Sequence, residues 1–237
     1  PYGCLEQTVS GAFPLLYAGE WADRLLPSDQ AIGDMPGMVA HAISRVLSMQ
    51  QENGGLALWP FMAKVDAESS IYAIHFLAEA KAAGYVVPEA AYEAALKWVR
   101  GGLDRAMAPD AAEEDWRRDM QMRAYSCLVL ALAGRPDAGW NARLREQADR
   151  LDYATRALAA SALVRSGEPR QAVALMDAMA LPVPRSRTPG RLLDSDVRDA
   201  ALLLSAWLDV DPDHPSVARL AQVLRDRQRD GHWGNTQ

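Results

Sequence analysis

The sequence predicts an all-α protein in one domain spanning residues 1–237, and three observations carry that reading. Apolar residues recur at three- and four-residue intervals through most of the chain, the period of a helix with one buried face. Glycines at Gly84 and Gly134 close such runs, and the alternation expected of strands is almost absent. The order helix, glycine, tryptophan occurs twice, around residues 53–59 and 230–234, as in a chain of repeated helical hairpins.

The first helix opens near Cys4 and runs through residues 6–17, with Leu5, Val9, Ala12, Phe13 and Leu16 at helical spacing and Pro14 set to bend or end it. A polar break at residues 27–33 precedes an amphipathic helix over 36–50, whose stripe is Met38, Val39, Ala42, Ile43, Val46 and Leu47. His41 lies off that stripe and reads as a solvated or capping residue. Asn53-Gly54-Gly55 then stops the helix, since glycine takes a left-handed cap without strain, and residues 56–61 form a loop carrying Trp59.

Residues 68–83 form the next helix, closed at Gly84, with His75 on an apolar face as a core histidine. Residues 88–99 follow, with proline in the first turn where its missing donor costs nothing. The helix over 115–133 carries Met122, Tyr125, Leu128, Val129 and Leu132 on one side. Shorter helices are expected over 140–150, 153–166 and 169–180. Residues 181–192, rich in proline and arginine, form an irregular surface loop. Residues 194–208, capped by Asp194 or Ser195, and 214–228 bring the count to about ten.

Hydrophobic residues make up 49% of the chain and charged residues 24%, enough for a sizeable core. The net charge of -6 and the lack of a basic stripe argue against nucleic acid, and no apolar run is long enough to span a bilayer. The chain opens and stops in mid-motif without an initiator methionine, so it reads as a piece of a longer protein, and the lack of a leader says nothing of location.

Chemistry concentrates in Pro1-Tyr2-Gly3-Cys4-Leu5-Glu6-Gln7. Cys4 and Gln7 are three residues apart, hence one above the other on a helical face. The Cys4 thiolate can there displace ammonia from the Gln7 carboxamide and leave an internal thioester. Gly3 lets the backbone bend ahead of the cysteine. The helix N-terminus helps stabilise a departing Cys4 thiolate. Glu6 reads either as a partner of the helix dipole or as part of the chemistry.

Gly-Cys-Leu-Glu-Gln after Pro-Tyr closely resembles the thioester motif of the bacterial alpha-2-macroglobulins, relatives of the thioester complement proteins. Residues 71–88 (IYAIHFLAEAKAAGYVVP), 123–134 (RAYSCLVLALAG), 194–204 (DSDVRDAALLL) and 231–237 (GHWGNTQ) resemble later landmarks in the same order. The resemblance implies an alpha/alpha toroid of six helical hairpins, with the final helix missing from this chain. It implies a protease inhibitor that is not an enzyme: a protease cleaves a bait region elsewhere, the thioester is exposed, and an amine of the attacker is acylated by Gln7 while Cys4 is freed, once.

A thioester must be kept from water, and Tyr2, Met38, Trp59 and Trp233 are candidate cover beside Gly3, Leu5 and Glu6, completed by other domains of the parent chain. Some family members pass the acyl group to hydroxyls through a mid-domain histidine. Residues 103–122 contain none, which favours direct attack by amines. The parents that the resemblance implies are periplasmic, inner-membrane-anchored lipoproteins, some paired with a penicillin-binding peptidoglycan synthase, without cofactor or metal and without membrane contact by this domain.

Other readings stay open at this point. The domain can be a binding toroid with a vestigial thioester. Glu113-Glu114-Asp115 fits the paired acids of a toroid-fold glycosidase, or simply the start of a helix. Cys4 with the distant His232 can form a cysteine hydrolase, and Cys4 with Cys127 a disulfide, although Cys127 sits in an apolar run and reads as core.

Overall fold

The computed structural model describes residues 3–18, 33–108, 110, 112–177 and 195–227. Among these residues ten α-helices and one 3-10 turn occur, with two isolated β-bridges and no strand, so the all-α expectation is met. The chain divides into two compact units, Pro1–Gly101 and Gly102–Gln237.

In the first unit, α1 (Leu5–Ala12) begins at Cys4, whose extended backbone marks it as the N-cap. It ends because Pro14 has no N–H to continue the ladder after Phe13 N–H bonds Val9 O at 2.8 Å, and helical turns resume at residues 15–18. α2 (Met35–Leu47) is capped by Asp34, whose carboxylate accepts from Gly37 N–H at 2.9 Å. It buries Val39, Ala42, Ile43 and Val46 as the stripe predicts, but Met38, expected in that stripe, is 51% exposed at its edge.

The Asn53-Gly54-Gly55 stretch corrects the expected glycine cap. α2 already ends at Leu47, and the glycines shape a later turn in which Gln51 N–H bonds Gly55 O at 2.8 Å. Gly54 has φ +91°, and a Cβ there would lie 2.0 Å from Ala94 O in the helix over Glu89–Leu103. Glycine is thus needed for the close approach of a helix forty residues away. The turn returns the chain past α2, through Ala57 N–H to Met49 O at 3.0 Å, to Leu58.

α3 (Ala67–Ala82), capped by Asp66, is buried nearly all round, and α1 and α2 both pack on it. Phe13 fixes α1 to it, with ring centroids 5.8 Å from Tyr72, 4.9 Å from His75 and 5.8 Å from Phe76. The Ser70 hydroxyl bonds both the N–H and the carbonyl of Leu56 at 2.9 Å, which satisfies the turn's buried polar groups. Gly84, φ +90°, closes α3, and α4 (Glu89–Leu103) follows Pro88.

In the second unit α5 (Glu113–Leu132), α7 (Tyr153–Arg165) and α9 (Asp196–Val210) pack in succession. α5 is buried nearly all round over its C-terminal half, and α7 along most of its length. The intervening α6 (Ala138–Glu146), α8 (Pro169–Asp177) and α10 (Pro215–Arg227) pack against their neighbours in sequence. Asp137, Asp152 and Ser195 cap α6, α7 and α9, while Gly134 and Gly167 take positive φ after α5 and α7. Ser195 is thus the cap of α9 that the sequence left between two residues. Arg123, 5% exposed, bonds Asp119, Leu103 O and Arg105 O, and lies 4.3 Å from the Trp140 ring. The expected break at 27–32, the loop at 181–192, Asp194 and the terminal glycine-tryptophan junction lie outside the described residues.

Candidate functional site

Cys4 and Gln7 take the N-cap and N3 positions of a capping box at the head of α1. The Gln7 side chain bends back toward the helix start, where its Oε1 accepts the Cys4 backbone N–H at 3.2 Å. The Gln7 carboxamide is therefore held beside the Cys4 backbone N–H at the helix start. Cys4 is half-buried with a free thiol, and Gln7 is exposed.

Gly3 serves this arrangement through space, not through a left-handed backbone. A Cβ on it would meet Gln7 Cβ at 3.0 Å, Gln7 Oε1 at 3.5 Å and Thr8 N at 3.5 Å. Any side chain there would crowd the folded-back glutamine.

The floor of the site is fixed from both sides. Leu5 is wholly buried, and its N–H, one of the donors with no partner inside the helix, bonds Leu58 O at 2.9 Å. Glu6, 8% exposed, points inward, accepting the Ser10 hydroxyl at 3.3 Å, and Ser10 in turn lies 3.4 Å from the Tyr72 hydroxyl. That network couples α1 to α3 and turns Glu6 away from the exposed Gln7 face.

The proposed cover fares unevenly. Met38 and Gln7 line one groove between α1 and α2. Trp59 directly follows Leu58, so it is close in sequence to the carbonyl that binds Leu5, but it is 41% exposed and does not line that groove. Phe61 and Met62 in the same loop are also exposed, Phe61 entirely and with φ 69°. Tyr2, Trp233 and His232 lie outside the described residues. Sequence reasoning missed Arg45 and His41, which line the groove beside Gln7; their signal is the spacing Met38, His41, Arg45 along one side of α2.

No family model matches the chain. It is 32% identical over 225 residues to alpha-2-macroglobulin of Escherichia coli strain K12, a match that covers 86% of this chain and 13% of that protein. The chain belongs to the alpha-2-macroglobulin family.

Several solved alpha-2-macroglobulin structures match along the whole chain, including these two in reacted or activated form. One is the Salmonella protein reacted with methylamine, with 27% identity, a TM-score of 0.82 and 16% of that chain covered. The other is the Escherichia coli protein activated by porcine elastase, with 28% identity, a TM-score of 0.79 and 22% covered. The chain thus spans a small part of the alpha-2-macroglobulins it matches.

The competing sites lose support on their own geometry. Glu113 begins α5 between Arg150, at 2.9 Å, and Arg117, at 3.3 Å. The hydrogen bond from Arg150, its charge and the Arg117 contact hold the Glu113 carboxyl below its ordinary 4.5. All three acids are exposed and Glu113 is held by two arginines, so the run reads as a solvated helix start with cationic partners. Cys4 and Cys127 are both free thiols, so the Cys4 to Cys127 disulfide is not formed; Cys127 is 1% exposed inside α5, in the core as read. His75 is partly buried, 3.6 Å from Glu79 and edge-on to Phe13. His214 stacks on Trp207 at 3.7 Å and accepts Ser216 N–H at the start of α10.

Proposed function

We propose that this chain is the thioester domain of an alpha-2-macroglobulin-like protease inhibitor, with an internal thioester between Cys4 Sγ and Gln7 Cδ. The observation that carries the reading is the Gln7 carboxamide folded back onto the Cys4 N–H in a Gly-Cys-Leu-Glu-Gln sequence of this family. That N–H, at the positive end of α1, is aimed at the acyl oxygen, where charge grows as the carbonyl carbon turns tetrahedral. In forming the thioester, the Cys4 thiolate adds to Gln7 Cδ and the amide nitrogen leaves as ammonia. In reaction with a target, an amine adds to the same carbon and the Cys4 thiolate leaves. The acyl carbon is left on Gln7 as a substituted amide and Cys4 as a thiol, so the thioester is consumed and the reaction occurs once per molecule.

The relatives activated by elastase or reacted with methylamine make attacking proteases and their amines the fitting partners. By the same family likeness the parent is periplasmic and lipid-anchored, and some parents pair with a peptidoglycan synthase; fractionation and co-purification test both. The exposed Gln7 and half-buried Cys4 fit a site whose cover comes from other parts of the parent.

The test is the intact mass of the full-length parent in native buffer and after methylamine, with a count of free thiols. The thioester reading expects a mass lower by one ammonia, followed by uptake of one methylamine and release of one thiol, both abolished by Cys4→Ala. A full-length protein with Gln7 still an amide and Cys4 already free would sink it, and a binding module would then stand in its place.

A further inference from the structure

Building on the thioester reading, we propose that the groove between α1 and α2 is an acceptor subsite that favours amines carrying a carboxylate, with Arg45 as its anion-binding residue. The fitting natural acceptor is a lysine presented beside an acidic residue.

The groove has a volume of about 590 Å³ and is lined by Gly3, Gln7 and Gly11 on α1 and by Met38, His41 and Arg45 on α2, among others. Its floor is open, since a Cβ on Gly11 would meet nothing within 4 Å. The direction of the helices decides which groups meet. The chain leaving α2 is bonded through Met49 and Ala57 to the segment whose Leu58 carbonyl holds Leu5 N–H. The end of α2 therefore lies at the start of α1, and the two helices run antiparallel. Gln7 stands two residues after Leu5, and Arg45 two residues before Leu47. Each is about 3 Å along its axis from that shared end. The backward fold of Gln7, toward Cys4, carries its acyl carbon the same way.

Arg45 is half-buried, and no hydrogen bond or ion pair joins its side chain to another described residue. The carboxylate of Asp34 lines the same groove but accepts Gly37 N–H at the other end of α2. Eleven residues of helix put it about 16 Å away along the axis. Glu6 is turned inward to Ser10. The guanidinium is thus a planar, charged donor in the groove that Gln7 also lines, suited to a carboxylate on the incoming molecule. Arg45 takes no part in the bond changes. The amine nitrogen bonds Gln7 Cδ, the bond from that carbon to Cys4 Sγ breaks, and the departing thiolate takes the proton that the nitrogen sheds.

The experiment measures thiol release from the full-length parent with β-alanine and with its neutral amide, each corrected for its free-base fraction and divided by the methylamine rate of the same variant. Wild type is expected to favour β-alanine roughly two- to fivefold, the range that a partly exposed ion pair supplies. The preference should shrink in 1 M salt, where charges are screened within about 3 Å. Arg45→Lys should keep part of it, Arg45→Gln lose it and Arg45→Glu reverse it. A ratio that Arg45→Gln and Arg45→Glu leave unchanged overturns the subsite while the thioester stands. Absence of thiol release with methylamine in wild type overturns the thioester reading and the subsite with it.

Discussion

Replacing Gly3 with alanine should slow thioester closure while leaving the fold nearly as stable. The new methyl would lie 3.0 Å from Gln7 Cβ and 3.5 Å from Gln7 Oε1, where carbon atoms ordinarily rest about 3.5–4.0 Å apart. The glutamine side chain must therefore give way by about half an ångström. A displacement of about 1 Å between reacting groups costs on the order of 100-fold in rate, so half of it predicts roughly a tenfold slower loss of ammonia. Gln7 is exposed and free to move outward, and Gly3 is not in the left-handed region, so the backbone carries no added strain. The lower chain entropy of alanine in the unfolded state offsets much of the crowding, and the net change should stay within about 1 kcal/mol, or about 2–4 °C in Tm. Freshly refolded protein would be followed by intact mass for the loss of ammonia, with Tm measured alongside. Closure of Gly3→Ala at the wild-type rate would refute the spatial role of this glycine, and a much larger fall in Tm would show its role to be structural.

Arg123→Ala should destabilise the second unit by about 3 kcal/mol or more, since it strands Asp119 and two carbonyls around a side chain that is 5% exposed. Urea unfolding would measure it, and Arg123→Lys should recover only part because lysine lacks the planar fork. Glu113 has a lowered folded pKa, so its contribution is present above its ordinary 4.5 and is lost as the pH falls through the folded value. Glu113→Gln should accordingly flatten the acid side of the Tm profile and leave its alkaline side in place.

Sequence patterns revealed most helices because their signals are local. The stripe of α2 is set by Val39, Ala42, Ile43 and Val46, and the caps by single residues such as Asp152 or Ser195. What escaped depends on distant partners. Gly54 and Gly55 look like a helix stop, yet their lack of side chains is required by Ala94 and Trp98, which only packing brings near. The reach of Gln7 to Cys4 was legible from their spacing, whereas the reason for Gly3 was not, because it is a contact with a side chain folded backward. Arg45 drew no attention in the sequence, because its place beside α1 exists only once the two helices pack. The acids at residues 113–115 were ambiguous until Arg150, thirty-seven residues on from Glu113, supplied a partner for Glu113.

On the proposed thioester reading, the cap at the head of α1 can keep a partner through the chemical history of its own glutamine. Carboxamide, thioester, substituted amide and carboxylate each carry an acyl oxygen, the kind of atom with which Gln7 accepts the Cys4 N–H. An acyl oxygen is thus available to the helix start both before and after the proposed reaction. What changes is the covalent tether between residues 4 and 7 and the mass hung on its acyl end. On that reading, a signal to the rest of a larger protein is carried by the severed link and its new cargo.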